Sequence, residues 1–237
     1  MNKRSKYFFL LASAIFDTFN TAFSYNKISL PVKGDSNQYM FDSLFNFFNQ
    51  LVPVSAAEFS LIKERTEVRH FAKKEQLIKA GDTGQYLYFI AKGLTREFFY
   101  KGKQEVIIDI VSEGTITGSV TSFFTGEPSR YFIETIEPTS VLRMSKTDLE
   151  ELYSSNNKWE RFGRVLTAHF LLQQERHILD NIRYTVRERF VNFIHEHPNL
   201  LLRAPQIYLA SYLDIKPETF SRLKHIIKEK NGKKTKH

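Results

Sequence analysis

The spacing of apolar residues changes along the chain. Between residues 41 and about 71 apolar side chains recur at intervals of three and four, as at Phe45, Phe48 and Leu51, and this pattern predicts helices. From residue 70 to residue 144 short apolar runs alternate with turns that contain glycine, about one turn every eight to twelve residues. That spacing predicts the strands of a β-barrel or β-roll.

A long helix is predicted after the strands. Ser145 can cap a short helix, and residues 156–181 then contain no proline and only Gly163. An apolar stripe along this second helix is longer than the β unit can cover, which favours pairing with a second copy of the chain. The alternative is that the stripe packs only on its own β unit. The stripe consists of Trp159, Phe162, Leu166, Phe170, Ile178 and Ile182.

Two short helices joined by a three-residue turn are predicted further along the chain. Thr185 and Glu188 have the spacing of a capping box, so a new helical unit begins there. Residues 206–213 form the first short helix, and Pro217 suits the first position of the next one because no N–H is needed there. The arrangement predicts a helix-turn-helix, whose second helix enters the major groove of DNA.

The outward face of that second helix carries side chains that bind bases and phosphates. Arg pairs with guanine, and Glu accepts a hydrogen bond from cytosine. Ser and Thr contact either a base or a phosphate, and Lys contacts phosphates. The alternative is a plain helical hairpin with a solvated face. Two departures favour that alternative: Asp214 stands where the turn usually has Gly, and Lys216 stands where Ser or Thr usually caps the helix. The predicted DNA-binding residues are Glu218, Thr219, Ser221, Arg222, Lys224, His225 and Lys228.

The charge distribution agrees with a partner that carries phosphates. Of the formal net charge of +8, residues 214–237 contribute +5, from eight basic and three acidic side chains. The body of the chain, residues 40–213, has 21 side chains of each sign. A neutral body with a basic end suits double-stranded DNA as the partner. For the last eight residues a solvated lysine-rich tail is the favoured interpretation.

Composition argues against several classes of active site. The chain has no Cys, which excludes disulfides, thiolate nucleophiles and cysteine-ligated zinc or iron–sulfur clusters. His195 and His197 lie close together but have no third ligand, so no metal or other cofactor is expected. No Ser/His/Asp order, paired carboxylates or glycine-rich phosphate loop is evident, so an enzyme is not expected.

The first 39 residues have two interpretations. Three basic residues precede an apolar run of about ten residues, which is typical of a secretory signal and too short to span a bilayer. The alternative, which we favour, is a start assigned too far upstream, with translation beginning at Met40. Residues 1–39 would then be an untranslated or disordered extension, and the protein would be cytoplasmic without a membrane partner.

The chain resembles the Crp/Fnr family of bacterial regulators over about four-fifths of its length. The resemblance implies a cyclic-nucleotide-binding β-roll, a dimerisation helix and a winged-type helix-turn-helix. The C-terminal motif is similar to that of members common in Bacteroidetes-type bacteria. The residues that carry the resemblance are Gly81-Asp82, the run from Tyr88 to Arg96, Lys101 to Glu105, Pro205 to Leu213 and Pro217 to Arg222.

The predicted effector pocket departs from the family pattern. In family members that bind cyclic nucleotides, a Glu after Gly holds the ribose and an Arg pairs with the phosphate. Here Ser119 follows Gly118 where the Glu is expected, and Ser129 stands in place of the Arg. Serine cannot replace a bidentate arginine contact, so the effector is expected not to be cAMP. A shift of one residue that brings Arg130 into the pocket remains open.

The resulting expectation is an α+β protein that acts as a homodimeric transcription regulator. The predicted units are the extension 1–39, a cyclic-nucleotide-binding-like β-roll at 40–156, a dimerisation helix at 157–183 and a winged-type helix-turn-helix at 184–237. A small-molecule effector of unknown identity would act through the roll. The alternative is a ligand-sensing or protein-interaction module that does not bind DNA sequence-specifically.

Overall fold

The computed structural model describes residues 36–234, with side chains from 37 to 226. Eight strands form two antiparallel four-stranded sheets, ordered β1-β8-β3-β6 and β2-β7-β4-β5. The strands are β1 Glu67–Phe71, β2 Gln76–Ile78, β3 Tyr86–Lys92, β4 Leu94–Lys101, β5 Gln104–Ser112, β6 Ile116–Thr117, β7 Phe132–Thr135 and β8 Thr139–Ser145. The helices are α1 Ser36–Leu51, α2 Ala56–Glu64, α3 Val120–Thr125, α4 Lys146–Ser155, α5 Asn157–Arg183, α6 Val186–Glu196, α7 Leu200–Arg203, α8 Gln206–Tyr212 and α9 Pro217–Lys234.

The β-roll predicted from the apolar runs is confirmed. Strands β4 and β5 form a hairpin whose turn contains Gly102, at φ +64°, where glycine avoids the strain that a side chain would meet. The predicted helical region ends earlier than expected, because Glu67–Phe71 is strand β1. Its backbone pairs with β8, and this pairing with a distant strand outweighs the local helical spacing.

Three apolar clusters hold the layers together. Between the two sheets lie Tyr88, Ile90, Val111 and Val141. On the outer face of the first sheet, α1, α2, α4 and the start of α5 pack around Trp159; there the rings of Phe48 and Phe162 stack at 4.1 Å. On the outer face of the second sheet, the helices from α6 to α9 share one apolar core with strands β4 and β5. The roll is therefore covered by helices on both outer faces.

Helix α5 is the predicted long helix, capped by Asn156. The first part of its apolar stripe is buried against its own roll, at Trp159, Phe162 and Leu166. The later part is exposed, and the exposed apolar residues are Leu171, Ile178, Leu179 and Ile182. Packing on the roll therefore accounts for only the first half of the stripe.

Two features differ from the predicted units. Among the described residues none beyond β8 is in a strand, so the winged-type element is not seen; residues 217–234 form one continuous helix where a β-hairpin would have to begin. Helix α1 begins at Ser36, inside the predicted extension 1–39, and the half-buried Tyr39 packs on the apolar cluster around Trp159. Residues 1–35 lie outside the described part of the chain.

Candidate nucleic-acid interface and effector pocket

Helices α8 and α9 pack closely against each other. Leu209 and Ala210 of α8 are fully buried, as is Phe220 of α9. The ring of Phe220 also meets Phe190 of α6 edge-on, with ring centres 5.0 Å apart. This apolar contact fixes α9 on the helices that precede it, so one face of α9 is buried and the other is presented outward.

The turn between α8 and α9 is held by backbone hydrogen bonds. Asp214 has φ +52°, a left-handed conformation that glycine adopts more readily. The N–H of Ile215 donates to the Ala210 carbonyl at 3.0 Å, and the N–H of Phe220 donates to the Lys216 carbonyl at 3.0 Å. Lys216 therefore occupies the cap position of α9, but its side chain has no acceptor to offer the first turn.

The predicted DNA-binding residues of α9 fall into two groups. Glu218, Arg222 and His225 are exposed and follow each other at helical spacing, so they lie on one line. The half-buried members are Thr219, Ser221 and Lys224. The side chain of Lys228 lies outside the described residues.

Arg189 of α6 joins three elements, a role that sequence reasoning missed. Its guanidinium donates to the carbonyls of Asn181 and Tyr184, at the end of α5, at 3.1 and 3.4 Å. It also donates to the Leu213 carbonyl, just before the α8–α9 turn, at 3.3 Å. The end of the long helix is thus tied to the turn that leads into α9.

Helices α6 to α9 form one helical unit. This helical unit is docked on the roll through Arg96 of β4. The side chain is 4% exposed and lies between the rings of Phe98 and Tyr208, 4.0 and 4.1 Å from their centres. Its nitrogens bind Glu105 at 2.5 Å and Glu134 at 2.9 Å. Because Tyr208 belongs to α8, this buried charge links the roll to the helical unit.

Two further polar contacts cross the same interface. Arg203 of α7 binds Glu113 at 2.6 Å and Glu137 at 2.5 Å, both from the roll. The backbone N–H of Ile107 donates to the Ser211 hydroxyl of α8 at 3.0 Å. No sequence motif pointed to these contacts, because their partners lie about 66 to 104 residues apart.

The predicted effector residues lie around the N-terminus of α3. A side chain at Gly118 would place its Cβ 2.9 Å from Leu87, so the backbone is packed closely there. Ser119 and Ser129 are buried, and the Ser129 hydroxyl donates to the Tyr131 carbonyl at 2.8 Å. The Arg130 side chain is 86% exposed and 4.0 Å from Glu127. The structure therefore places Arg130 outside the roll, away from the two serines.

A pair of carboxylates lies inside the roll, contrary to the expectation that the chain has none. Glu97 of β4 stands directly opposite Asp109 of β5, and both side chains are half-buried. The Thr117 hydroxyl, from the other sheet, donates to Glu97 at 2.7 Å. Burial, followed by the charge of Asp109, raises the pKa of Glu97 to about 8. Burial likewise raises the pKa of Asp109, and that of Tyr131 to about 12.

Within residues 36–234 no three His, Asp or Glu side chains come together in a group that could hold a metal ion. In the same part of the chain no helix is both long enough and apolar enough to cross a membrane.

Comparison with known proteins identifies the β-roll. Residues 68–156 match the family model of the cyclic nucleotide-binding domain. The chain has no significant sequence match among curated proteins.

Solved structures resemble the chain over the roll and the helices that follow. FixK2 from Bradyrhizobium japonicum has a TM-score of 0.62 at 21% identity, over 70% of this chain and 86% of that chain. CLP from Xanthomonas campestris, described as a c-di-GMP responsive global regulator, has a TM-score of 0.59 at 15% identity, over 75% and 93%. A putative cyclic nucleotide binding protein from Ruegeria pomeroyi has a TM-score of 0.60 at 14% identity, over 82% and 89%. At these identities the likeness shows the fold alone: a cyclic-nucleotide-binding roll followed by helices.

Proposed function

We propose that the chain is a homodimeric transcription regulator of the Crp/Fnr type, which reads a pseudo-palindromic DNA site with α9. The observation that carries this proposal is the outward line of Glu218, Arg222 and His225 on a helix whose other face is buried against α8. Arg binds guanine through two hydrogen bonds and Glu accepts from cytosine, so the line suits the edges of successive base pairs. In each half-site α9 would lie in the major groove.

The dimer would form through the exposed part of α5. Leu171, Ile178, Leu179 and Ile182 are between 51% and 78% exposed, which is costly for four large apolar side chains on one helix. A second copy packed along the same stretch would cover them, and a two-fold axis would set the two α9 helices about one turn of DNA apart.

The roll would act as an effector domain whose ligand is not cAMP. By the resemblance to the family pattern, Ser129 stands where the phosphate-binding arginine is expected; Ser129 is buried, whereas Arg130 points to solvent. Glu97 and Asp109 place negative charge inside the roll, which opposes an anionic ligand. These three features together disfavour a cyclic phosphate.

The proposal is tested by selecting binding sites from random duplex DNA with the full chain. An enriched inverted repeat, bound with a steep dependence on salt, would support a dimeric sequence-specific regulator. Binding that depends on salt but enriches no sequence would contradict base reading. It would favour the alternative of a ligand-sensing or protein-interaction module.

A further inference from the structure

The facing acids Glu97 and Asp109 are not paired with a Lys or Arg side chain within residues 37–226. Among the described residues none of the ion pairs includes either carboxylate. Glu97 accepts a hydrogen bond from Thr117, and Asp109 accepts one from the adjacent N–H of Ile110. Two carboxylates enclosed side by side cannot both ionise without strong repulsion, so the pair retains a proton that exposed acids would release.

Other titratable groups also face the pair. Tyr131 lies in the segment before β7. Burial is the main cause that raises the pKa of its phenol, and the charge of Glu97 is the second cause. His177 of α5 is close enough for its charge to lower the pKa of Asp109. Burial raises the same pKa by more, so the net change is upward. The ring of His177 also lies 5.5 Å from that of Tyr212, on α8. The pair is therefore in electrostatic contact with a residue that touches the helical unit.

The same two strands hold the helical unit on their opposite face. In β5 the bulged residue Ile108 has no partner, since Glu97 pairs with Asp109 and Phe98 pairs with Ile107. The bulge allows Asp109 to point inward while Ile107 and Ile110 on either side both pack on the helical unit. A movement of the β4 and β5 backbones that separates the two acids would therefore also displace the surface on which α8 rests.

We propose that Glu97 and Asp109 form a proton-operated switch that controls how firmly α8, and with it α9, is held on the roll. With one of the two acids protonated, β4 and β5 stay close and the helical unit is docked. When that proton is lost, repulsion between the two carboxylates loosens the β4–β5 surface and releases α8. The consequence for DNA reading rests on the proposed function, whereas the docking itself does not.

The linkage has a defined direction. Burial and the charge of Asp109 raise the pKa of Glu97 to about 8 in the docked chain. A carboxyl group released from this enclosure would titrate near its ordinary pKa of about 4.3. Release of the helical unit therefore expels a proton, so it becomes more frequent as the pH rises between these two values, by up to about tenfold for each pH unit.

Hydrogen exchange of the full chain without DNA, at about pH 6 and about pH 8, tests this switch. After correction for intrinsic rates, the amides of α8 and of Ile107 should exchange faster at the higher pH, with a ratio up to about a hundredfold. Glu97→Gln, which mimics the protonated acid, should abolish that increase. Asp109→Asn, which removes the neighbouring charge but leaves Glu97 in place, should reduce it. Glu150→Gln, on the exposed part of α4, is the matched control and should behave as the unmodified chain.

Two results would overturn the switch. One is a rise in the α8 exchange rate between about pH 6 and about pH 8 that is as large in a folded neutral variant, Glu97→Gln or Asp109→Asn, as in the unmodified chain. The other is a rise spread evenly over both sheets, which would indicate general loosening of the roll. Since no DNA is present, failure to select a DNA site would not affect this test of the switch. Failure of the switch would likewise not affect the proposal that α9 reads DNA.

Discussion

The guanidinium of Arg96, on the roll, lies against the ring of Tyr208, on α8, at 4.1 Å from its centre. Arg96 is almost completely buried and is bound by Glu105 and Glu134. A buried charge of this kind is stable only while its partners enclose it. The orientation of the helical unit on the roll is therefore set by a contact between two side chains that are about a hundred residues apart in sequence.

Tyr208→Ala should lower the free energy of unfolding by about 2–3 kcal/mol. The change removes the ring that packs on Arg96 and leaves a cavity beside the buried guanidinium. Tyr208→Phe keeps the ring and should stay within about 0.5 kcal/mol of the unmodified chain. Urea unfolding measures both. An equal loss in the two variants would mean that the hydroxyl, rather than the ring, supports the contact.

Sequence reasoning found the elements that local patterns encode. The roll, the long helix and the capping box at Thr185 all follow from spacing and cap chemistry, and the structure confirms them. Strand β1 was assigned to helix, because its pairing with β8 joins residues about seventy positions apart.

The candidate sites were predictable only in part. The outward residues of α9 follow from helical periodicity. The Glu97–Asp109 pair does not, since each acid sits in an ordinary strand and only the register of β4 and β5 brings them together. The bulge at Ile108 sets that register, and the neighbouring sequence has no residue that predicts a bulge.

Arg222→Ala should weaken binding to the selected DNA site by about 1–3 kcal/mol and relax the preference for one base in each half-site. Titration of the selected duplex and of a scrambled duplex measures the difference. Arg69→Ala removes an exposed arginine on β1, far along the chain from α9, and serves as the control for net charge. Equal losses on both duplexes would assign Arg222 to phosphate contact rather than base reading.

Lys216→Ser should stabilise the chain by about 1 kcal/mol, because a serine hydroxyl can accept from the free N–H groups in the first turn of α9. The cap position is already defined by the hydrogen bond from the Phe220 N–H to the Lys216 carbonyl. Lys216→Ala, which removes the same charge without adding an acceptor, is the matched comparison in urea unfolding. A gain that is equal in both variants would trace the effect to charge.

Ile178→Arg combined with Ile182→Arg should convert the proposed dimer to a monomer. Both side chains are exposed in the single chain, at 56% and 78%, so its fold should tolerate the change. Each isoleucine buried between two copies would contribute about 1.5–3 kcal/mol. Sedimentation equilibrium measures the association, and Leu202→Arg, at an 88% exposed site on α7, is the control. A dimer that persists in the double variant would place the interface elsewhere.

Glu97 should make the chain less stable as the pH rises from about 4.3 to about 8. Its pKa is raised to about 8 in the folded chain by burial and by Asp109, whereas unfolding returns it to the ordinary value. The folded state therefore binds more protons than the unfolded state across this window, and the free energy of unfolding falls by up to about 1.4 kcal/mol for each pH unit. Glu97→Gln should remove this slope, and subtracting the two urea-unfolding profiles cancels the carboxyl groups that they share. A flat difference between the two profiles would show that Glu97 is ionised in the folded chain at neutral pH.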